Sequence, residues 1–105
     1  MRVLELIIKE YLSIMSYLIG SEPAENNRIT IDKELFQTLL EENRYLEFRQ
    51  KTKAYKHLGF IIHDKNNYTL PCKDPEINKT VRRVVFNYET YLSVKKLYET
   101  ELNFD

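Results

Sequence analysis

Side chains able to hold a metal or attack an electrophile gather mid-chain: His57, His63, Asp64 and Cys72. They fall short of either chemistry. A structural zinc centre uses four ligands, usually in paired Cys or His spacings, and His63, Asp64 and Cys72 supply three without such spacing. A Cys72–His nucleophile pair has no support beyond co-occurrence. With glycine only at positions 20 and 59, no Gly-rich phosphate loop can form. No catalytic residue, metal or cofactor is therefore expected. The same region is instead rich in cations. Arg49, Lys53 and Lys56 have the charge to meet phosphates, and Gln50 and His57 could reach base edges beside them. Further along, Lys65, Asn66, Asn67, Lys73, Lys79, Arg82 and Arg83 could follow a phosphate backbone or enter a minor groove, where arginine favours narrow AT-rich stretches. Any one of these is equally a solvated surface charge; the cluster carries the reading.

Two elements must position these residues. Arg44 to Leu58 has helical spacing: Tyr45, Phe48, Thr52, Tyr55 and Leu58 share an apolar face, with Arg49, Gln50, Lys53, Lys56 and His57 on the other. Lys51 falls inside the apolar stripe and is expected to snorkel out. The helix carries a single acid, Glu47, in its first turn, where the macrodipole favours it; the same dipole accounts for some of the lysines at its end without any ligand. Gly59 suits the position just past the helix, where φ is positive. Phe60-Ile61-Ile62 then reads as a short strand, residues 64–67 as a turn, and Tyr68-Thr69-Leu70 as a stretch that can extend or pair. Pro71 and Pro75 punctuate a polar excursion ending at Lys79. Thr80 to Phe86 is the strongest strand candidate, with Val81, Arg83 and Val85 on one face and Arg82, Val84 and Phe86 on the other. Its far end should be packed and its near end solvated.

Upstream, Val3 to Ile19 reads as a helix that Gly20 ends. Glu5, Lys9, Ser13 and Ser16 cluster on its polar side, with Glu10 and Tyr17 at the margin. Its apolar arc is wide. Either the helix is buried on two sides within its own domain, or it buries one side there and the other against a second copy. Residues 20–28 form a polar linker, and Ile29-Thr30-Ile31 a short strand. Asp32 suits an N-cap, opening a helix with Leu35, Phe36, Leu39 and Leu40 on one face and ending near Asn43. After the hairpin, Asn87 can cap a last helix to about Leu102, with Tyr88, Tyr91, Leu92, Lys95, Tyr98 and Leu102 along one side.

The 105 residues carry no net charge, yet the charge is polarised. Residues 44–83 hold ten Lys and Arg against four Asp and Glu, while residues 1–43 and 84–105 are both acidic. The length fits one domain. One cysteine excludes an internal disulfide, and the apolar start, interrupted by Glu5, Lys9 and Glu10, reads as neither signal peptide nor membrane span. A cytoplasmic setting is the expectation. Abundant Lys, Asn, Ile and Tyr with scarce Gly and Ala fits AT-rich coding, as in low-GC bacteria, phages or plasmids.

The segment ITIDKELFQTLLEENRYLEFRQKTKAYKHLGFIIHDKNNYT…TVRRVVF, residues 29–87, resembles the winged helix-turn-helix family. AYKHLGFIIHDKNNYT is similar to the helix-to-wing junction in winged-helix segments of phage and plasmid replication proteins, and the whole to relaxosome accessory proteins of clostridial conjugative plasmids. The resemblance implies an α+β fold: one domain over residues 1–105, with a helix-turn-helix at about 32–58, a wing hairpin at about 60–87, and added N- and C-terminal helices. It implies a non-catalytic, double-stranded DNA-binding protein serving conjugative transfer or replication within a larger DNA-processing complex; the wide arc of the first helix adds the expectation of a homodimer, and its interrupting charges that of no membrane partner. The excursion from Pro71 to Lys79 departs from a short wing and leaves open whether helix or wing makes the main contact. The same basic face would equally suit a protein-interaction module for an acidic partner, or a transcriptional repressor.

Overall fold

The computed structural model describes residues 2–21 and 24–102, the side chains of 100–102 excepted. Glu22 and Pro23 of the linker, and the Leu102 side chain, lie outside the described residues. Eight elements follow in order: α1 (Val3–Ser21), β1 (Arg28–Ile31), α2 (Lys33–Glu41), α3 (Phe48–His57), β2 (Ile61–Ile62), β3 (Leu70–Asp74), β4 (Lys79–Asn87) and α4 (Tyr88–Leu102). The fold is α+β, with four helices and an antiparallel sheet of four strands among the described residues. No helix of the described residues is long and apolar enough to cross a membrane.

The sheet is built on β4. Its C-terminal half pairs with β1, from Arg28 opposite Asn87 to Ile31 opposite Val84, and with β2 through Ile61 opposite Phe86. Its N-terminal half pairs with β3, from Leu70 opposite Arg83 to Asp74 opposite Lys79. Val84, Val85 and Phe86 are buried while Lys79 and Thr80 are exposed, so the strand is packed at one end and solvated at the other, as its alternation suggested. Residues 71–79, which the two prolines suggest to be an irregular excursion, are instead the first arm and turn of a regular hairpin. Pro71 obscures this, because it cannot donate to a ladder; β3 pairs with β4 alone, and such an edge tolerates proline. The turn closes over residues 75–78, with Asn78 at φ 52° and the Asp74 carboxylate accepting the Glu76 N–H at 3.0 Å.

The helices pack around an aromatic centre. Tyr11 of α1 stacks on Phe60 with ring centroids 3.7 Å apart and meets Tyr55 and Tyr91 edge-on. Phe36 of α2 touches Phe48, Tyr55, Tyr68 and Phe86, tying both middle helices to the sheet. Ile7, Ile14, Met15 and Leu18 complete the buried face of α1, while Val3, Leu4, Tyr17 and Ile19 remain exposed. Gly20 lies inside α1, which runs one residue past it. In α4, Tyr88, Tyr91, Val94 and Tyr98 turn inward, and Asn87 Oδ1 accepts the Thr90 N–H at 3.2 Å. Leu92 and Lys95 were expected on that stripe but are exposed. One residue is about 100° of helix rotation, so Leu92 cannot share the Tyr91 face.

Candidate nucleic-acid interface

The connection between α2 and α3 fixes how the basic helix is presented. The sequence suggested a helix starting at Arg44, but α3 starts at Phe48 because a capping box operates there. The Glu47 side chain accepts an N–H at the third helical position, Gln50, whose own side chain accepts the Glu47 N–H at 3.1 Å. Gln50, expected to face bases, is therefore engaged in holding the helix start. At the other end, Phe60 N–H bonds to Tyr55 O and Gly59 N–H to Lys56 O, with Gly59 at φ 75°. This double return closes the helix and aims the chain into β2.

Lys51 does not snorkel. Its side chain is fully buried, and its ammonium lies 2.6 Å from Glu10 Oε2 of α1. It also donates to Leu40 O at 2.5 Å and to Asn43 O, the free carbonyls where α2 ends. Tyr45 and Tyr55 each donate a hydroxyl to Glu10 Oε1 at 2.9 Å, and the Tyr45 ring sits 4.2 Å from the ammonium. Burial, and the Glu10 charge beside it, hold the Tyr55 phenol far above its ordinary pKa; burial and the Glu10 hydrogen bond do the same for Tyr45. A lysine from α3 thus caps the C-terminus of α2 and is neutralised from α1. The Glu10–Tyr45–Tyr55 part of this network was not anticipated. The signal present in the sequence was an acid at the margin of one apolar face and a lysine inside another.

The outer face of α3 differs in character. Arg49, Gln50, Lys53 and His57 are exposed and Lys56 is half-buried. Thr52 is buried with Tyr55 on the opposite side, so Lys53 points away from the core. Among the described residues, Arg49, Lys53 and Lys56 form no salt bridge. The loop of residues 63–69 sits against the start of this helix: the Tyr68 ring lies 5.7 Å from Phe48. Lys65, Asn66 and Asn67 are exposed on that loop, and Lys73 and Lys79 on the hairpin.

Arg82 and Arg83, both partly exposed, are tied into the scaffold by ion pairs. Arg82 pairs with Asp64 and donates to Thr69 Oγ1 and Thr69 O, both at 2.9 Å, which fastens the 63–69 loop to β4. Arg83 donates to Asp74 Oδ2 at 3.1 Å, and its Nε lies 3.3 Å from Asp32 Oδ1, an ionic contact without hydrogen-bond alignment. The sequence suggested a groove for both; in the structure neighbouring carboxylates from the turn, the hairpin and the start of α2 pair with them. Among the described residues, three of the ten cations in residues 44–83 are thus in ion pairs, and seven are in none and remain exposed or half-buried: Arg44, Arg49, Lys53, Lys56, Lys65, Lys73 and Lys79.

The nucleophile and metal candidates do not converge. His63 Nδ1 lies 2.7 Å from Asp64 O, Cys72 approaches Leu70 O, and His57 is exposed on α3. Among the described residues no group of three or more His, Cys, Asp or Glu could hold a metal ion. No protein-family model matches the chain, and no curated protein matches it significantly.

Proposed function

We propose that this is a non-catalytic protein of winged helix-turn-helix architecture that binds double-stranded DNA through α3 and the β3–β4 hairpin. The observation that carries the reading is the sorting of cations. Buried Lys51 and the strand residues Arg82 and Arg83 each have a carboxylate, whereas Arg49, Lys53 and Lys56 share one helix face without an ion pair among the described residues. A merely solvated helix face mixes both signs as i,i+4 pairs. Here like charges repel along the face, and a phosphate backbone would relieve that repulsion. In this reading α3 lies in the major groove, its cations meet phosphates, and His57 reaches base edges. Lys65, Lys73 and Lys79 follow the backbone beside it. The resemblance of residues 29–87 adds the setting, plasmid or phage DNA processing within a larger complex, and the wide apolar arc of α1 adds a homodimer.

The test is binding to duplex DNA by fluorescence anisotropy across a salt series. Wild type is compared with the α3 variant (Arg49, Lys53 and Lys56 to Ala) and a hairpin variant (Lys65, Lys73 and Lys79 to Ala). Every cation that ceases to meet a phosphate should flatten the log–log salt slope by about 0.9, so a full α3 contribution is a change of roughly 3. A folded wild-type protein that binds no duplex at low salt would overturn the reading. Binding to an acidic protein surface that random DNA fails to displace would favour the protein-interaction module instead.

A further inference from the structure

Resting on the DNA-binding reading, we infer that the hairpin tip is a wedge, with Ile77 as the side chain that enters between base pairs from the minor groove and kinks the duplex. Ile77 is 54 % exposed at the apex of the turn of residues 75–78. The five paired rungs from Leu70–Arg83 to Asp74–Lys79 rise about 3.4 Å each, which carries the tip roughly 15 Å beyond the Arg83 rung. Among the described residues, the other large exposed apolar side chains lie on α1, on α4 or at the end of α3. An isolated isoleucine beside an exposed proline, Pro75, is too small for a protein–protein anchor, since such interfaces bury about 800 Å² per partner. It is the size of the apolar wedges that unstack a base step.

The charges around the tip suit nucleic acid. Lys73 and Lys79 flank it, one on each arm, with no ion pair among the described residues. Asp74 is satisfied within the hairpin by Arg83 and by the Glu76 N–H. The Glu76 side chain is exposed at the tip, and its repulsion from phosphate keeps the insertion shallow and reversible. The Asp74–Glu76 turn and the Arg83 anchor keep the tip in shape while it is loaded. A two-stranded ribbon is wider than an undistorted minor groove of about 6 Å, so entry and opening of the groove are one event.

The experiment needs no known site. Ligase-catalysed circularisation of a duplex shorter than the persistence length of about 150 base pairs reports bending, and anisotropy on the same duplex reports binding. The full-length wild-type protein should accelerate circularisation. Ile77→Ser should lose that acceleration while still binding in the same salt range, and Ile77→Leu should keep it. Unchanged acceleration by Ile77→Ser, or wild-type binding without acceleration, overturns the wedge and leaves the DNA reading standing. Absence of wild-type binding removes the DNA reading itself. Circular dichroism on each variant excludes loss of fold as the cause, and Glu76→Gln, which should accelerate circularisation beyond wild type, probes the tip without touching the wedge.

Discussion

At the scale of single residues, the Lys51–Glu10 pair decides more than any surface charge. Both side chains are buried, so removing one partner strands the other in a medium that cannot solvate it. Lys51→Met should cost about 3–5 kcal/mol in urea denaturation, whereas Lys51→Met with Glu10→Gln, which removes the stranded charge but keeps an acceptor for the Tyr45 and Tyr55 hydroxyls, should recover part of that loss. If the single and double variants are equally unstable, the two groups act independently and the pairing argument fails. The tyrosines add a pH dependence. The Tyr55 phenol is held above its ordinary value of 10.0 by burial first and by Glu10 second. The unfolded chain therefore loses that proton before the folded one. Stability is intact below pH 10.0 and falls as pH rises beyond it toward the folded value. Tyr55→Phe should flatten that alkaline decline, measured as the pH slope of unfolding free energy. None of this pairing was legible from Lys51 alone. Helical periodicity placed it in the apolar stripe correctly, but its partner sits 41 positions away on another helix. Periodicity reports direction within an element and is silent about what lies opposite.

At the scale of elements, strong patterns were readable and weak ones were not. The helix around Phe48–His57 and the strand ending at Phe86 follow from spacing and β-branched content. The β3 strand was missed because LPCKD has neither alternation nor β-prone density; it exists because β4 offers it a ladder. Start positions drifted where side chains, not periodicity, set them, as Glu47 and Gln50 do for α3. The two glycines offer a controlled comparison of that kind. A Cβ at either position would meet nothing within 4 Å, so sterics cannot separate them. Gly59 has φ 75°, and Gly20 has no positive φ. Gly59→Ala should therefore destabilise by about 1 kcal/mol through backbone strain, and Gly20→Ala should be neutral or stabilise by about 0.5–1 kcal/mol through helix propensity. Thermal unfolding of the two variants checks this; equal effects would mean that the return at Gly59 does not depend on its left-handed geometry.

At the scale of the whole molecule, the outward cations on α3 and the hairpin contrast with the acidic composition of residues 1–43 and 84–105. α1 is split in the same spirit: Ile7, Tyr11, Ile14, Met15 and Leu18 are buried, while Val3 and Leu4 are about half exposed. On α4, Leu92 is 48 % and Leu97 68 % exposed. The wide arc of α1 is thus only partly covered by its own domain. A second copy covering the remainder would give two basic helices related by a two-fold axis, suited to half-sites one helical turn of about 34 Å apart. The measurable consequence is a solution mass twice the 12.7 kDa chain by sedimentation equilibrium. Leu4→Glu combined with Leu97→Glu should return it to one chain with the helical spectrum unchanged, because neither side chain is in the core. The same variant should then bind a single half-site as tightly as wild type but lose the dependence on half-site spacing. A wild-type mass of 12.7 kDa at every concentration would be compatible with DNA binding but confine it to one helix and one hairpin per site. In that case the seven outward cations would have to supply the whole electrostatic affinity of each complex. The salt slope lost in the α3 and hairpin variants together, which cover six of the seven, would then account for the wild-type slope apart from the share of Arg44, with no second protomer to supply it.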